Sequence, residues 1–102
     1  MGRVRVASAA ELRPDSLKRV DVGGIEICVA HTEAGEWFAI NDVCSHEDFS
    51  LSMGEIWGDD VECPQHGSRF NLRTGKPDTP PAVVPVATYP VTVEGDDVYI
   101  DV

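Results

Sequence analysis

At 102 residues the chain has room for one small domain, residues 1–102, with a modest core. A hydrophobic fraction of 42% beside 25% charged residues is that of an ordinary globular protein and speaks against disorder. The net charge of −10 argues against nucleic acid and against anionic membranes, which repel such a chain, and makes a basic protein surface the natural partner. No apolar run is long enough to span a membrane, and "MGRVRVASAAELRPD" lacks the apolar region of a secretory signal, so a cytoplasmic location is expected.

In chain order, Val4 and Val6 alternate with Arg3 and Arg5, the period of a half-buried strand. "SAAELRPDS" follows as a turn or one short helical turn, stopped at Pro14. "KRVDV", the Gly23-Gly24 turn and "IEICVAH" make a hairpin, and "EWFAI" comes after a loop through Gly35. "GEIW" and "VEC", joined through Gly58-Asp59-Asp60, form a second hairpin. "VATYPVTVE" and "DVYIDV", joined at Gly95-Asp96, form the last. "KPDTPPAVVP" holds four of the seven prolines and is expected to be a stiff, irregular loop. No window carries a helical period over three turns. The pattern predicts an all-β domain of about eight to ten short antiparallel strands, a sandwich or small barrel.

The chemistry concentrates in "CSHEDFSLSMGEIWGDDVECPQHGSRF". Cys44-Ser45-His46 is followed, after sixteen residues, by Cys63-Pro64-Gln65-His66. Each pair follows or closes a strand and opens a loop, so each is expected at the tip of a hairpin. Two tips side by side present two thiolates and two imidazoles to one point. That donor set suits zinc, or an iron-sulfur centre in which His replaces Cys on one iron. The mixed C-x-H pair is atypical of structural zinc, whose usual turns carry C-x2-C or C-x4-C.

With Gly67 and Ser68 after the second pair, the pattern resembles the Rieske family: C-x-H, a spacer of this length, then C-x-x-H followed by Gly and often Ser. The likeness runs from "EWFAI" through Pro64 to the proline loop and the final hairpin. It implies a Rieske-like antiparallel β-sandwich with a cluster-binding subdomain of two hairpin loops. It also implies one [2Fe-2S] cluster, with Cys44 and Cys63 on the inner iron and His46 and His66 on the outer, solvent-facing iron. Pro64, Gly67 and Ser68 would surround the cluster, and a third loop carrying Pro80 and Pro81 would cover it. Charges on two ferric ions, two sulfides and two thiolates cancel, so reduction leaves one negative charge, and the potential falls in a range of about −150 to +300 mV.

Two departures place the chain within the family. High-potential members carry an extra Cys in each loop, joined by a disulfide, where this chain has Phe49 and Gln65. They also carry a Tyr two residues after the loop Ser, where this chain has Phe70. The resemblance is therefore to low-potential Rieske ferredoxins serving bacterial ring-hydroxylating oxygenases. It implies a monomeric one-electron carrier from a flavin-dependent ferredoxin reductase to a terminal non-haem iron oxygenase, with no turnover of its own. A Rieske ferredoxin of iron-sulfur cluster assembly, with similar "SLSMGE" and "HGSRF" text, is the alternative within the family. A zinc-stabilised interaction module and a redox sensor are the alternatives outside it. Glu47, Asp48 and Trp57 are candidate docking residues. Trp37, Phe38, Tyr89 and also Trp57 are core candidates, Cys28 reads as a core thiol, and His31, at a strand end, as a solvated histidine.

Overall fold

The computed structural model describes residues 2–44, 49–64, 67–78 and 84–102. Among the described residues ten strands form three antiparallel sheets: β1 (Arg3–Ser8), β10 (Asp97–Asp101) and β9 (Val91–Glu94); β2 (Ser16–Val22), β3 (Ile25–His31), β4 (Trp37–Asn41) and β8 (Thr88–Tyr89); and β5 (Glu55–Trp57), β6 (Asp60–Glu62) and β7 (Arg69–Asn71). The four-stranded sheet is the middle layer. On β3, Ile27 and Val29 pack with Ile100 of β10, whereas Cys28 and Ala30 pack with Val61 of β6 and Phe70 of β7. Burial on both faces explains the unbroken apolar run "ICVA", because an alternating strand would leave one face wet.

Hairpins lie where glycine supplies the turn. Gly23 and Gly24, both at positive φ, join β2 to β3 in a register running from Val22↔Ile25 to Ser16↔His31; a two-residue connection of this kind matches strand twist. Gly58 and Gly95 serve the β5–β6 and β9–β10 hairpins in the same way. Ala9–Glu11 is a single 3-10 turn, in which Glu11 accepts the Ser8 N–H at 2.7 Å.

The structure departs from the pattern reading in four places. "VATYPVTVE" is two strands in different sheets. Pro90 lacks the N–H needed to continue a ladder, so β8 pairs with β4 while β9 pairs with β10. Arg69–Asn71 is a strand that no alternation announces, held by its pairing with β6. His31 is half-buried rather than solvated: its ring stacks on Trp37 at 4.0 Å and Nδ1 lies 2.7 Å from the Leu12 carbonyl. Trp57 is 48% exposed and belongs to no core, while Trp37, Phe38 and Tyr89 pack against the two core clusters.

The proline-rich segment is tied at both ends. Pro77 bridges Phe70, Asp78 N–H donates to the Arg69 carbonyl at 2.6 Å, and Val86 N–H donates to the Gly75 carbonyl at 2.9 Å. Gly75 has φ +76°, and a Cβ there would stand 2.0 Å from the Val86 carbonyl oxygen. Both backbone strain and a backbone clash oppose a side chain. Gly75→Ala should therefore destabilise the protein by about 4 kcal/mol or more. Gly23→Ala, at φ +57° with open space around it, should cost about 1–2 kcal/mol from strain alone. Thermal melts of the two variants check the ranking, and equal losses would contradict it.

Candidate metal centre

Loop 44–49 leaves the end of β4. Asn41 Oδ1 accepts the Val43 N–H at 3.0 Å, Val43 bridges Ser50, and Cys44 N–H donates to the Phe49 carbonyl at 2.9 Å. The Leu51–Met53 3-10 turn then leads into β5. Loop 63–68 is the tip of the β6–β7 hairpin. Glu62 pairs with Arg69, Cys63 N–H donates to the Ser68 carbonyl at 2.7 Å, and Gly67 takes φ +71°. Each cysteine thus opens its loop, and its amide closes that loop onto the residue five positions on.

Both thiols are inside. Cys44 and Cys63 are 2% and 1% exposed, and they share one apolar cluster with Cys28, Leu51, Val61, Phe70 and Leu72. None of the three cysteines is in a disulfide. Ser68 is fully buried, whereas Pro64 and Gly67 are exposed. Phe70 is fully buried within the same cluster. His46, His66, Glu47, Asp48, Pro80 and Pro81 lie outside the described residues. The expectation of a hairpin tip holds for Cys63, whereas Cys44 opens a loop closed by the single Val43–Ser50 bridge between strands of different sheets; the structure brings both thiols into one core.

Cys28, a buried core thiol as expected, is pushed well above the ordinary thiol range, first by burial and then by the charge of Asp42. Such a group stays a thiol. Trp57 lies under the guanidinium of Arg69 at 4.7 Å, and Arg69 Nε also reaches Glu62 at 3.3 Å. Sequence reasoning missed Asp42, which is fully buried just before loop 44–49 and accepts hydrogen bonds from both Ser50 and Ser52. An Asp in "INDVC" looks like any loop carboxylate, so no signal marked it.

Residues 2–90 match the Rieske [2Fe-2S] domain. The chain belongs to the Rieske [2Fe-2S] domain family. It is 42% identical over 101 residues to the ferredoxin component of biphenyl 2,3-dioxygenase from Rhodococcus jostii (strain RHA1), covering 99% of this chain and 94% of that one. The ferredoxin of carbazole 1,9a-dioxygenase from Nocardioides aromaticivorans IC177 superposes with a TM-score of 0.91 at 36% identity, covering 98% of this chain and 97% of that one. A chain in the complex of reduced oxygenase and oxidized ferredoxin of carbazole 1,9a-dioxygenase superposes at 0.88 and 35% identity, covering 96% and 100%.

Membership brings a Rieske-type [2Fe-2S] cluster as resident cofactor, and the chain is an electron carrier rather than a catalytic subunit. The described residues fit that cofactor. Two thiols buried in one core, each opening a loop that continues into a histidine, are the soft donors an iron-sulfur centre takes from inside.

One carboxyl near the site titrates unusually. Asp60 on β6 is pushed up to about 6, first by burial and then by its hydrogen bond to Asp78 and the charge of Asp78. The folded chain therefore holds this proton more tightly than the unfolded one, whose carboxyl titrates near 3.8. The resulting stabilisation is present below the unfolded value and is lost as pH rises through about 6. Asp78→Asn removes the repulsion. It should raise the thermal midpoint at about pH 7.5 by a few degrees, about 1 kcal/mol after allowance for solvent screening, and change little near pH 4. A midpoint difference independent of pH would contradict the pairing.

Proposed function

We propose that the chain, as a single domain of residues 1–102, carries one electron at a time from a flavin-dependent reductase to a terminal non-haem iron oxygenase. Cys44 and Cys63 would hold the inner iron of its cluster, and His46 and His66 the outer. The observation that carries the reading is the pair of buried thiols, each opening a loop of the same span. When bound, the cluster supplies reversible one-electron chemistry in the middle of the redox scale. The chain's own residues do the rest. Burial keeps water from the two thiols, and Ser68, buried directly after Gly67, is in place to serve the loop from within.

Two relatives that match over nearly their whole length are ferredoxins of aromatic-ring dioxygenases, and a third likeness lies in an oxygenase–ferredoxin complex. These support an oxygenase as the acceptor; the working form proposed is a cytoplasmic, monomeric shuttle. Among the described residues no helix is long and apolar enough to cross a membrane. Partners would meet the loop end through Glu47, Asp48 and Trp57, with Pro80 and Pro81 covering the cluster. A net charge of −10 steers the chain toward basic surfaces, which speeds encounter more than it tightens the final complex. Short-lived complexes suit a shuttle.

Phe70 occupies the place of a hydroxyl donor and is buried among apolar side chains. Removing a donor leaves the reduced centre less stabilised, so the potential belongs low in the range of about −150 to +300 mV.

Purified protein should be brown, bleach with dithionite, and contain two irons and two acid-labile sulfides per chain. His46→Ala or His66→Ala should lose or alter the cluster, whereas stoichiometric zinc in a colourless protein would overturn the assignment. Electron transfer to the oxygenase, followed by stopped flow, should slow as salt is raised and slow further with Glu47→Lys or Asp48→Lys. Rates indifferent to both would remove the steering argument.

A further inference from the structure

Asp42 is the buried carboxylate that the cluster site, as so far described, leaves unused. It stands one residue past β4 and two before Cys44, and it is fully buried. Its N–H donates to the Glu26 carbonyl at 2.9 Å and its carbonyl accepts the Leu51 N–H at 2.7 Å. The side chain only accepts. Oδ1 takes the Ser52 N–H at 2.8 Å, and Oδ2 takes the Ser50 hydroxyl, with Arg19 Nε 3.6 Å away. Each carboxylate oxygen thus has a donor.

Arg19 does not cancel that charge. Its guanidinium also lies 3.2 Å from Glu26 and 3.4 Å from Asp21, and its side chain is 45% exposed. One half-solvated cation therefore faces three anions. Asp42 stands two residues before Cys44, and Leu51, whose N–H its carbonyl accepts, shares a core cluster with Cys44 and Cys63.

We propose that Asp42 is a positioning residue of the cluster site: it fastens the exit of loop 44–49 to its entrance, and its buried negative charge holds the reduction potential low. The proposal rests on the cluster reading above. Fastening follows from the contacts, because Ser50, Leu51 and Ser52, which follow the loop, all bond to the residue that precedes it. The effect on potential follows from Coulomb's law. An added electron is disfavoured by an anion nearby, and burial weakens the screening that silences surface carboxylates.

The test is voltammetry of purified holoprotein beside its visible spectrum. Asp42→Asn keeps the shape: the side-chain oxygen still accepts from Ser52, and the Ser50 hydroxyl turns to accept from the new amide. Its potential should shift positive with an unchanged spectrum, while Glu94→Gln, on an exposed carboxylate paired with Arg3, leaves the potential in place. Ser50→Ala keeps the charge but removes a donor, so the potential should shift negative and amide exchange at Ser52 should quicken. An Asp42→Asn protein with intact spectrum and wild-type potential overturns the proposal. Should Asp42→Asn hold no cluster, Ser50→Ala decides: a negative shift supports the proposal, and an unmoved or positive potential overturns it. Failure of the cluster reading shows separately, as a wild-type protein without [2Fe-2S] absorption.

Discussion

Two backbone hydrogen bonds set the geometry on which the site depends: Cys44 N–H to the Phe49 carbonyl and Cys63 N–H to the Ser68 carbonyl. Each closes a loop of the same span directly above a strand end, so each thiol is fixed at the root of its loop and turned into the core. The two roots come from different layers. One leaves β4 of the middle sheet, the other leaves β6 of the small sheet, and the apolar cluster of Ile40, Leu51, Val61 and Phe70 packs those layers together. Packing thus fixes one cysteine relative to the other. Protein interiors deform little, which makes such a core a better ruler than a loop.

Around this core the charges are arranged unevenly. The exposed carboxylates act at long range, as a field that salt weakens, and several are paired, as Arg3–Glu94 and Arg73–Glu36 are at 2.5 Å. Asp42 is different because it is buried at the loop itself. On the proposed reading, the contrast separates two roles that net charge alone would merge, steering toward a basic partner on one hand and the energy of the bound electron on the other.

Much of this was legible in the sequence, for physical reasons that differ between elements. Gly23-Gly24 and Gly95-Asp96 mark turns that few other residues can make, so their hairpins were readable. Cys44 and Cys63 were readable as the roots of two neighbouring loops because each pair follows or closes a strand, and the structure buries both thiols in one core; His46 and His66 lie outside the described residues. The break at Pro90 was missed: valines continue on either side of it, and only the choice of sheet partner reveals the change. β7 has three residues and exists through pairing, which composition does not encode. His31 looked solvated because its stacking partner, Trp37, is brought beside it only by the β3–β4 register. Asp42 was missed because burial, the property that distinguishes it, is a tertiary fact.

The central claim is that two cysteines from the core and two histidines from the loops bind one iron-sulfur centre. Pulsed electron paramagnetic resonance of the dithionite-reduced protein, labelled with nitrogen-15 in histidine alone, tests it most directly. Couplings from two histidine nitrogens are expected, unchanged by His31→Gln, because His31 is held against Trp37 and the Leu12 carbonyl. A reduced centre without histidine coupling, or one whose coupling vanishes with His31, would contradict the account.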